Sequence, residues 1–429
     1  MIQEDDNSSL LQNSTRIIAP KPVDHSSPII LFTPVEEVIA SLQSLRDPET
    51  HILYCLKELY NDFNSTFYSL PTESILPLIE ILMTYQEETE NDYMDDDDES
   101  DDNSVIGYTI KVLSEILKSN FEQFIPILMK PEIIMKLFQY FHESGNMIIY
   151  IVRQYPSFVS LVKDALQSMF NQLPFSDVVA QLIYECLKVD KEIVPIFDFI
   201  SLLDKALKDK NDSNLYATSL SILGTLILEF PPIIPFVVMN APNYINDDGD
   251  YIDNNYMLTL YENLLKMDVN FENIISSEFL QLVLQVLNLP REIDIDNKKK
   301  ATKILLFEKD LHPFLNVVPF LLELLNLLND TEFMVQRALI IFFSKILQIC
   351  DNQIVGMLVE SEFYKSLSLY CIEDDDLLSI SIIQAVESFA KHQIPLSFEL
   401  VNVVNELELS DNEKVAELAR AVSSQINGE

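Results

Sequence analysis

Glycine is scarce in this chain: six residues in 429. Positive-φ turns and loops that press their backbone against a ligand draw on glycine. Its scarcity makes tight hairpins few and excludes the closely spaced glycines of a phosphate-cradling loop. Tryptophan is absent. The five histidines, His25, His51, His142, His312 and His392, are scattered, and no GxSxG stretch stands near them to suggest a nucleophile and its base. The four cysteines, Cys55, Cys186, Cys350 and Cys371, contain no CxxC pair. His51 and Cys55 stand four apart on one helical face, and two ligands on one helix do not close a tetrahedral zinc site. Buried free thiols of a reducing compartment are expected instead. Long apolar runs are missing too. The longest, LYATSLSILGTLIL, closes at Glu229 and Pro231, short of the ~18 residues a membrane span needs. The first residues, MIQEDDNSSLLQNSTR, hold no apolar leader core. The expectation is a cytoplasmic or nuclear protein with no membrane segment, no metal, no cofactor and no catalytic site.

Basic residues are also few. Lys and Arg number 28 against 68 Asp and Glu, a formal charge of −40. Such a surface repels phosphate backbones, so direct nucleic-acid binding is not expected. It stays soluble and favours basic protein segments.

What the chain does have is 48% apolar residues, enough for a large core, and a repeating arrangement of them. Two apolar residues, a proline and further apolar residues recur at FIPIL (Pro126), IVPIF (Pro195), IIPFV (Pro235), LHPFL (Pro313) and QIPLSF (Pro395), with weaker copies at Ser160, Ile274 and Val355. The steps from Pro126 onward are 34, 35, 40, 39, 39, 42 and 40 residues. A period near 40 belongs to helical repeats.

That period explains the most unusual stretch, ETENDYMDDDDESDDN. Eleven of the sixteen residues from Glu87 to Asp102 are acidic. Aligning Tyr68 with Pro126 gives a step of 58, and removing the 19 residues 86–104 leaves 39. The run therefore reads as an insertion between repeats, where extra loop length is tolerated. A second acidic loop is expected at 246–255, NDDGDYIDNN. Neither is an EF-hand: with Gly249 at position 6, Tyr244 falls at position 1 and Asn255 at position 12. Ser100, flanked by acids, is a candidate regulatory phosphoacceptor, because a phosphate there deepens the negative field.

Each repeat carries a helix that is apolar nearly all round, as a helix buried between neighbours should be. These are 105–119, 177–189, 215–230, 333–349 and 377–391. A second, amphipathic helix follows the proline motif at 131–141, 278–288, 318–330 and 362–373, with Phe279, Phe320 and Phe363 in register. Proline suits the junction, since it ends one helix and fits the first turn of the next. The segment REIDIDNKKKATK (291–303) reads as a charged linker whose Lys298–Lys300 open the next helix.

On the period and on units such as LGTLILEFPPIIPFVV (223–238), the chain resembles the armadillo/HEAT superfamily. The resemblance covers nearly all of it. It implies an all-α, right-handed superhelical solenoid of about nine repeats over residues 35–425, with residues 1–34 as a disordered tail. Where that superfamily usually has Gly before the last helix, this chain has Lys130, Ser276 and Glu360; units of two or of three helices both remain open. The resemblance also implies a groove along the last helices. The polar residues there are Gln281, Gln285 and Asn288; Glu323, Asn326 and Asn329; Lys365 and Ser368; and Asn402 and Asn405. Set at i, i+3 or i+4, they form a stripe of amides suited to an extended peptide backbone. Armadillo adaptors for nuclear-localisation signals place a Trp-Asn array in this groove, and a chain without Trp cannot. The expected role is a monomeric, non-catalytic scaffold for other proteins, the alternative an acidic adaptor for basic segments.

Deleting residues 86–104 is predicted to leave unfolding cooperative and stability within about 1 kcal/mol of the parent, as read by urea unfolding. Loss of the cooperative transition would show that the run is structural and the repeat register wrong.

Overall fold

The structure is a computed structural model, and it describes residues 49–65, 75–85, 104–119, 121–169, 174–246, 251–267, 269, 271–290, 294–307, 311–328, 331–369 and 375–427. Those residues form 22 α-helices, joined by short turns and 3-10 segments, with no strand among them. The fold is an all-α helical-repeat solenoid. The chain divides into two compact units, Met1–Ser144 and Gly145–Glu429.

In the first unit the helices are α1 (Glu49–Ser65), α2 (Leu76–Thr84), α3 (Val105–Ser119), α4 (Phe121–Leu128) and α5 (Pro131–Gln139). The centre is α3, which packs against α1, α2 and α4. It spans the residues its apolar pattern predicts. Ser104 fixes its start, the hydroxyl accepting from the Gly107 N–H at 2.8 Å. Pro126 departs from expectation by lying inside α4 rather than in a first turn. Without an N–H it leaves the Glu122 carbonyl no intrahelical donor.

The second unit takes in most of α6 (Phe141–Gln154) and then α7 (Val159–Met169), α8 (Asp177–Val189), α9 (Ile196–Asp209), α10 (Ser213–Glu229), α11 (Ile234–Asn240), α12 (Tyr251–Lys266), α13 (Ser277–Leu287) and α14 (Ile295–Phe307). It continues through α15 (His312–Leu315), α16 (Val318–Asn326), α17 (Phe333–Leu347), α18 (Asn352–Glu360), α19 (Glu362–Leu369), α20 (Asp376–Lys391), α21 (Phe398–Leu407) and α22 (Glu413–Asn427). Two ladders run through it. The long apolar helices α8, α10, α12, α14, α17, α20 and α22 each pack on the next, and so do the amphipathic helices α13, α16, α19 and α21. Helix starts follow side-chain caps: Ser176, Asp212, Ser276, Asp351, Asp375 and Ser397 each accept a backbone N–H of the first turn. Scarce glycine shows in the backbone. Lys210 and Gln393, past helix ends, and Asp294, before the start of α14, take positive φ, at 55°, 59° and 58°, where glycine would be the easier residue.

The register phenylalanines are core. Phe279 is wholly buried and meets Tyr261 with ring centroids 4.4 Å apart. Phe320 stacks on Phe314 at 5.8 Å, and Phe363 lies between Phe343 (5.7 Å) and Phe389 (6.4 Å). Through Phe314–Phe342 and Phe342–Phe343 these rings join into one chain of aromatic contacts from α15 to α20.

Polar links between helices repeat the period. Asn263 donates to the Gly224 carbonyl across 39 residues, Lys345 to the Leu306 carbonyl across 39, and Tyr244 to Asp204 across 40. Arg337 donates to Asp375 across 38 residues, and His392 Nδ1 pairs with Asn352 Oδ1 across 40. Each joins segments one repeat apart.

Two segments differ from the sequence reading. The acidic loop expected over 246–255 enters a helix at Tyr251, because Asn254, Met257, Leu258 and Tyr261 lie on one buried face. The charged linker 291–303 is helical from Ile295. There Lys298 is wholly buried, its Nζ 3.0 Å from Glu332 and 3.1 Å from the Pro290 carbonyl.

Phe363→Ala is predicted to cost about 3–5 kcal/mol, the range for emptying a buried aromatic site, measured by urea unfolding. A loss below about 1 kcal/mol would contradict the shared aromatic core.

Candidate functional site

Four helices place the predicted stripe. In α13 the buried residues Phe279, Leu282, Val283 and Val286 occupy one face, which leaves Gln281 and Gln285 exposed, with Asn288 exposed at the helix end. In α16 the buried set is Phe320, Leu321, Leu324 and Leu325, and Glu323 and Asn326 are exposed. In α19 Lys365 is exposed and Ser368 half-buried; in α21 Asn405 is exposed and Asn402 half-buried. Since α13, α16, α19 and α21 pack in succession, these residues share one ladder. Asn329 and Ser100 lie outside the described residues, as does most of the acidic run.

Some of the stripe is already engaged. Lys365 is paired with Glu362 at 2.7 Å, the Ser368 hydroxyl donates to the Lys365 carbonyl at 3.0 Å, and Asn405 accepts from Ser423 at 3.1 Å. The side-chain amides of Gln281, Gln285, Asn326 and Asn402 make no hydrogen bond among the described residues.

Beside the stripe lies a cleft of about 560 Å³ between α16 and α18. Helix α16 contributes Leu322, Leu325 and Asn326. Helix α18 contributes one face, Gln353, Gly356, Met357 and Glu360 among others. The volume falls in the range of ligand sites, ~300–1,000 Å³. Of the stripe only Asn326 lines it. Sequence reasoning missed the rest, although NQIVGML carried a signal: a glycine within a helical run of a glycine-poor chain.

The charges of this unit are arranged for structure. Arg337 grips both oxygens of Asp375, with Nη2 at 2.7 Å from Oδ1. That grip, with the N–H groups Asp375 caps on α20, outweighs burial and holds the carboxyl below its ordinary value of 3.8. Glu185 is buried, which by itself pushes its pKa up. Donors on Lys188, Arg153 and Gln181, each at 2.9 Å, surround it, and the hydrogen bonds and charges of Lys188 and Arg153 bring it below the ordinary value. Burial pushes the Cys186 thiol up to about 12 and the Cys350 thiol to about 11, so both are protonated at neutral pH. Among the described residues no group of three or more His, Cys, Asp or Glu is placed to hold a metal ion, and no single helix is long and apolar enough to cross a membrane.

No family model and no curated protein matches the chain. Among solved structures it is similar, at 14% identity and a TM-score of 0.33, to a chain described as a homology model of the full-length AP-3 complex in an intermediate open conformation. The match covers 91% of this chain and 81% of that one. At that score the likeness carries no argument about function.

Arg337→Gln is predicted to lower the unfolding free energy at pH 7 by about 1.5–3 kcal/mol, the range for a hydrogen bond to a charged group. Because the folded pKa of Asp375 is depressed, its contribution is full above 3.8 and drains as pH falls through the lower folded value. Urea unfolding should therefore show a smaller penalty at pH 3 than at pH 7. An equal penalty at both would contradict an ionised pair.

Proposed function

We propose that the chain is a non-catalytic, protein-binding scaffold built from armadillo/HEAT-like repeats. Its α13–α16–α19–α21 ladder is the surface that receives extended segments of other proteins. The observation that carries the reading is the set of exposed amides at Gln281, Gln285 and Asn326, on adjacent helices and without a hydrogen-bond partner among the described residues. An amide offers both a donor and an acceptor, so it matches the N–H and C=O of a peptide backbone whatever its side chains.

The second reading, an acidic adaptor for basic segments, draws on charge. Acids number 68 against 28 bases, and cations such as Lys208, Lys266 and Lys391 are already paired within their own helices to Asp204, Glu262 and Glu387. The surplus of carboxylates faces solvent, where a cationic partner is steered in and favoured at low salt. The run 86–104 would add to that field, and phosphorylation of Ser100 would strengthen it.

A photo-crosslinking amino acid at Gln285, compared with one at exposed Ser221 on α10, tests the surface. Discrete protein adducts are expected from Gln285 and not from Ser221, with yields falling between about 50 and 500 mM salt. Equal adducts from both positions, or none from Gln285, would overturn the ladder as the binding surface. Adducts indifferent to salt would remove the adaptor reading alone.

A further inference from the structure

We infer that the cleft between α16 and α18 seats an extended segment rich in Lys or Arg, whose backbone crosses α18 at Gly356. The inference deepens the protein-binding reading and rests on it.

Gly356 is the starting point. It lies in the middle of α18, where glycine costs about 1 kcal/mol relative to alanine. No positive φ requires it. Nor does internal crowding, because a Cβ added there would meet nothing within 4 Å. Gly224 differs. Its added Cβ would sit 3.9 Å from the Leu260 Cα, and its carbonyl accepts from Asn263 at 2.9 Å, so there one helix backbone closely approaches another. In a chain with six glycines, an interior helical glycine that faces open space is unexplained by the fold. Close approach of an outside backbone is the remaining physical use of a missing Cβ.

The cleft around it fits one kind of visitor. Leu322, Leu325 and Met357 supply an apolar surface, with Leu322 at 44% exposure despite its size. Asn326 and Gln353 supply amides at the same walls. Among the described residues the charged one in the lining is Glu360, and on α16 Glu323 is exposed next to Leu322. Neither carboxylate has an ion pair among the described residues, whereas Glu362, two residues past Glu360, is committed to Lys365. An apolar side chain on the leucines, backbone hydrogen bonds to the Asn326 and Gln353 amides and a cation beside Glu360 would use the groups the cleft leaves open. Asn352 and Ser361, which also line it, are engaged with His392 and with the Leu358 carbonyl and Phe363 N–H. An acidic segment would meet uncompensated repulsion.

The test uses the full chain and two fluorescent decapeptide pools. One has a fixed leucine flanked at two residues on each side by Lys or Arg; in the other, Glu replaces those cations. Anisotropy at about 50 mM salt should show binding of the basic pool only. Gly356→Leu should weaken it by about tenfold or more, because its side chain fills the crossing point. Gly356→Ala should raise Tm by about 1–3 °C while also weakening binding, which separates a blocked cleft from a misfolded chain. Glu360→Lys should abolish the preference for the basic pool.

Binding of the basic pool unchanged by Gly356→Leu would overturn the cleft as its seat, and binding of neither pool would overturn the proposal outright. In both cases adducts at Gln285 would still judge the scaffold reading separately. Equal binding of both pools would remove the charge requirement, and with it the stated occupant.

Discussion

A helix that is apolar on every side can be buried only between two others. That requirement governs the second unit. Helix α17 buries ten of its fifteen residues, from Val335 to Leu347, which no single neighbour could cover. It lies between α14 and α20 on one ladder and also touches α19. Such a helix has no stable face alone, so the repeat rather than the helix is the unit of folding. The spacing near 40 residues recurs in several polar side chains at the edge of this packing, which find their partners one repeat away. Arg337 reaches Asp375, Lys345 reaches the Leu306 carbonyl and Asn263 reaches the Gly224 carbonyl. These bonds contribute little individually. They fix which turn of one helix faces which turn of the next.

Where the sequence was readable, its apolar pattern and its caps agreed. Helices α3 and α8 begin and end where their patterns do, and Ser104 and Ser176 mark their starts. The amphipathic helices were readable in position; that expected over 278–288 runs Ser277–Leu287, while two others ran shorter than expected. The segment expected over 318–330 is helical only to Asn326, and that over 131–141 only to Gln139, where Ser144 folds back to the Leu137 carbonyl. Lys298 was not readable at all. Three consecutive lysines suggest a solvated stretch, yet a helix sends neighbouring residues in different directions. Lys298 points to Glu332 inside, Lys299 to solvent and Lys300 to Asn255 and Thr259. A buried lysine is tolerable only with such partners, and the carboxylate that Lys298 meets lies 34 residues away in sequence, the partners of Lys300 41 and 45.

The candidate site divides in the same way. Exposure of Gln281, Gln285, Glu323, Asn326, Lys365 and Asn405 follows from helical period alone, because each sits opposite a buried apolar stripe. The cleft does not follow from period. It is formed where α16 and α18, from successive repeats, stay apart, and only three-dimensional placement shows that gap. Its one sequence trace is Gly356, whose significance depends on the open space around it.

The electrostatic arrangement joins fold and function. Within the described residues, some cations tie helices together, as Arg337 does with Asp375 and Lys298 with Glu332; others pair within their own helix, and over the whole chain acids outnumber bases. An acidic surface of this kind repels phosphate backbones and attracts cationic groups by long-range steering. Under the proposed function, the amides and the apolar cleft would supply the contacts at short range, so that charge and geometry would favour the same class of partner through different residues.

Spin labels at Gln281, Lys365 and Asn405, on α13, α19 and α21, test the repeat stack most directly by pulsed electron–electron distance measurement. Helices packed in succession are about 8–10 Å apart. Two steps from Gln281 to Lys365 should give a narrow distribution centred at about 16–20 Å, and three steps to Asn405 one at about 24–30 Å. Broad distributions, or a distance to Asn405 no longer than that to Lys365, would contradict a ladder of one helix per repeat.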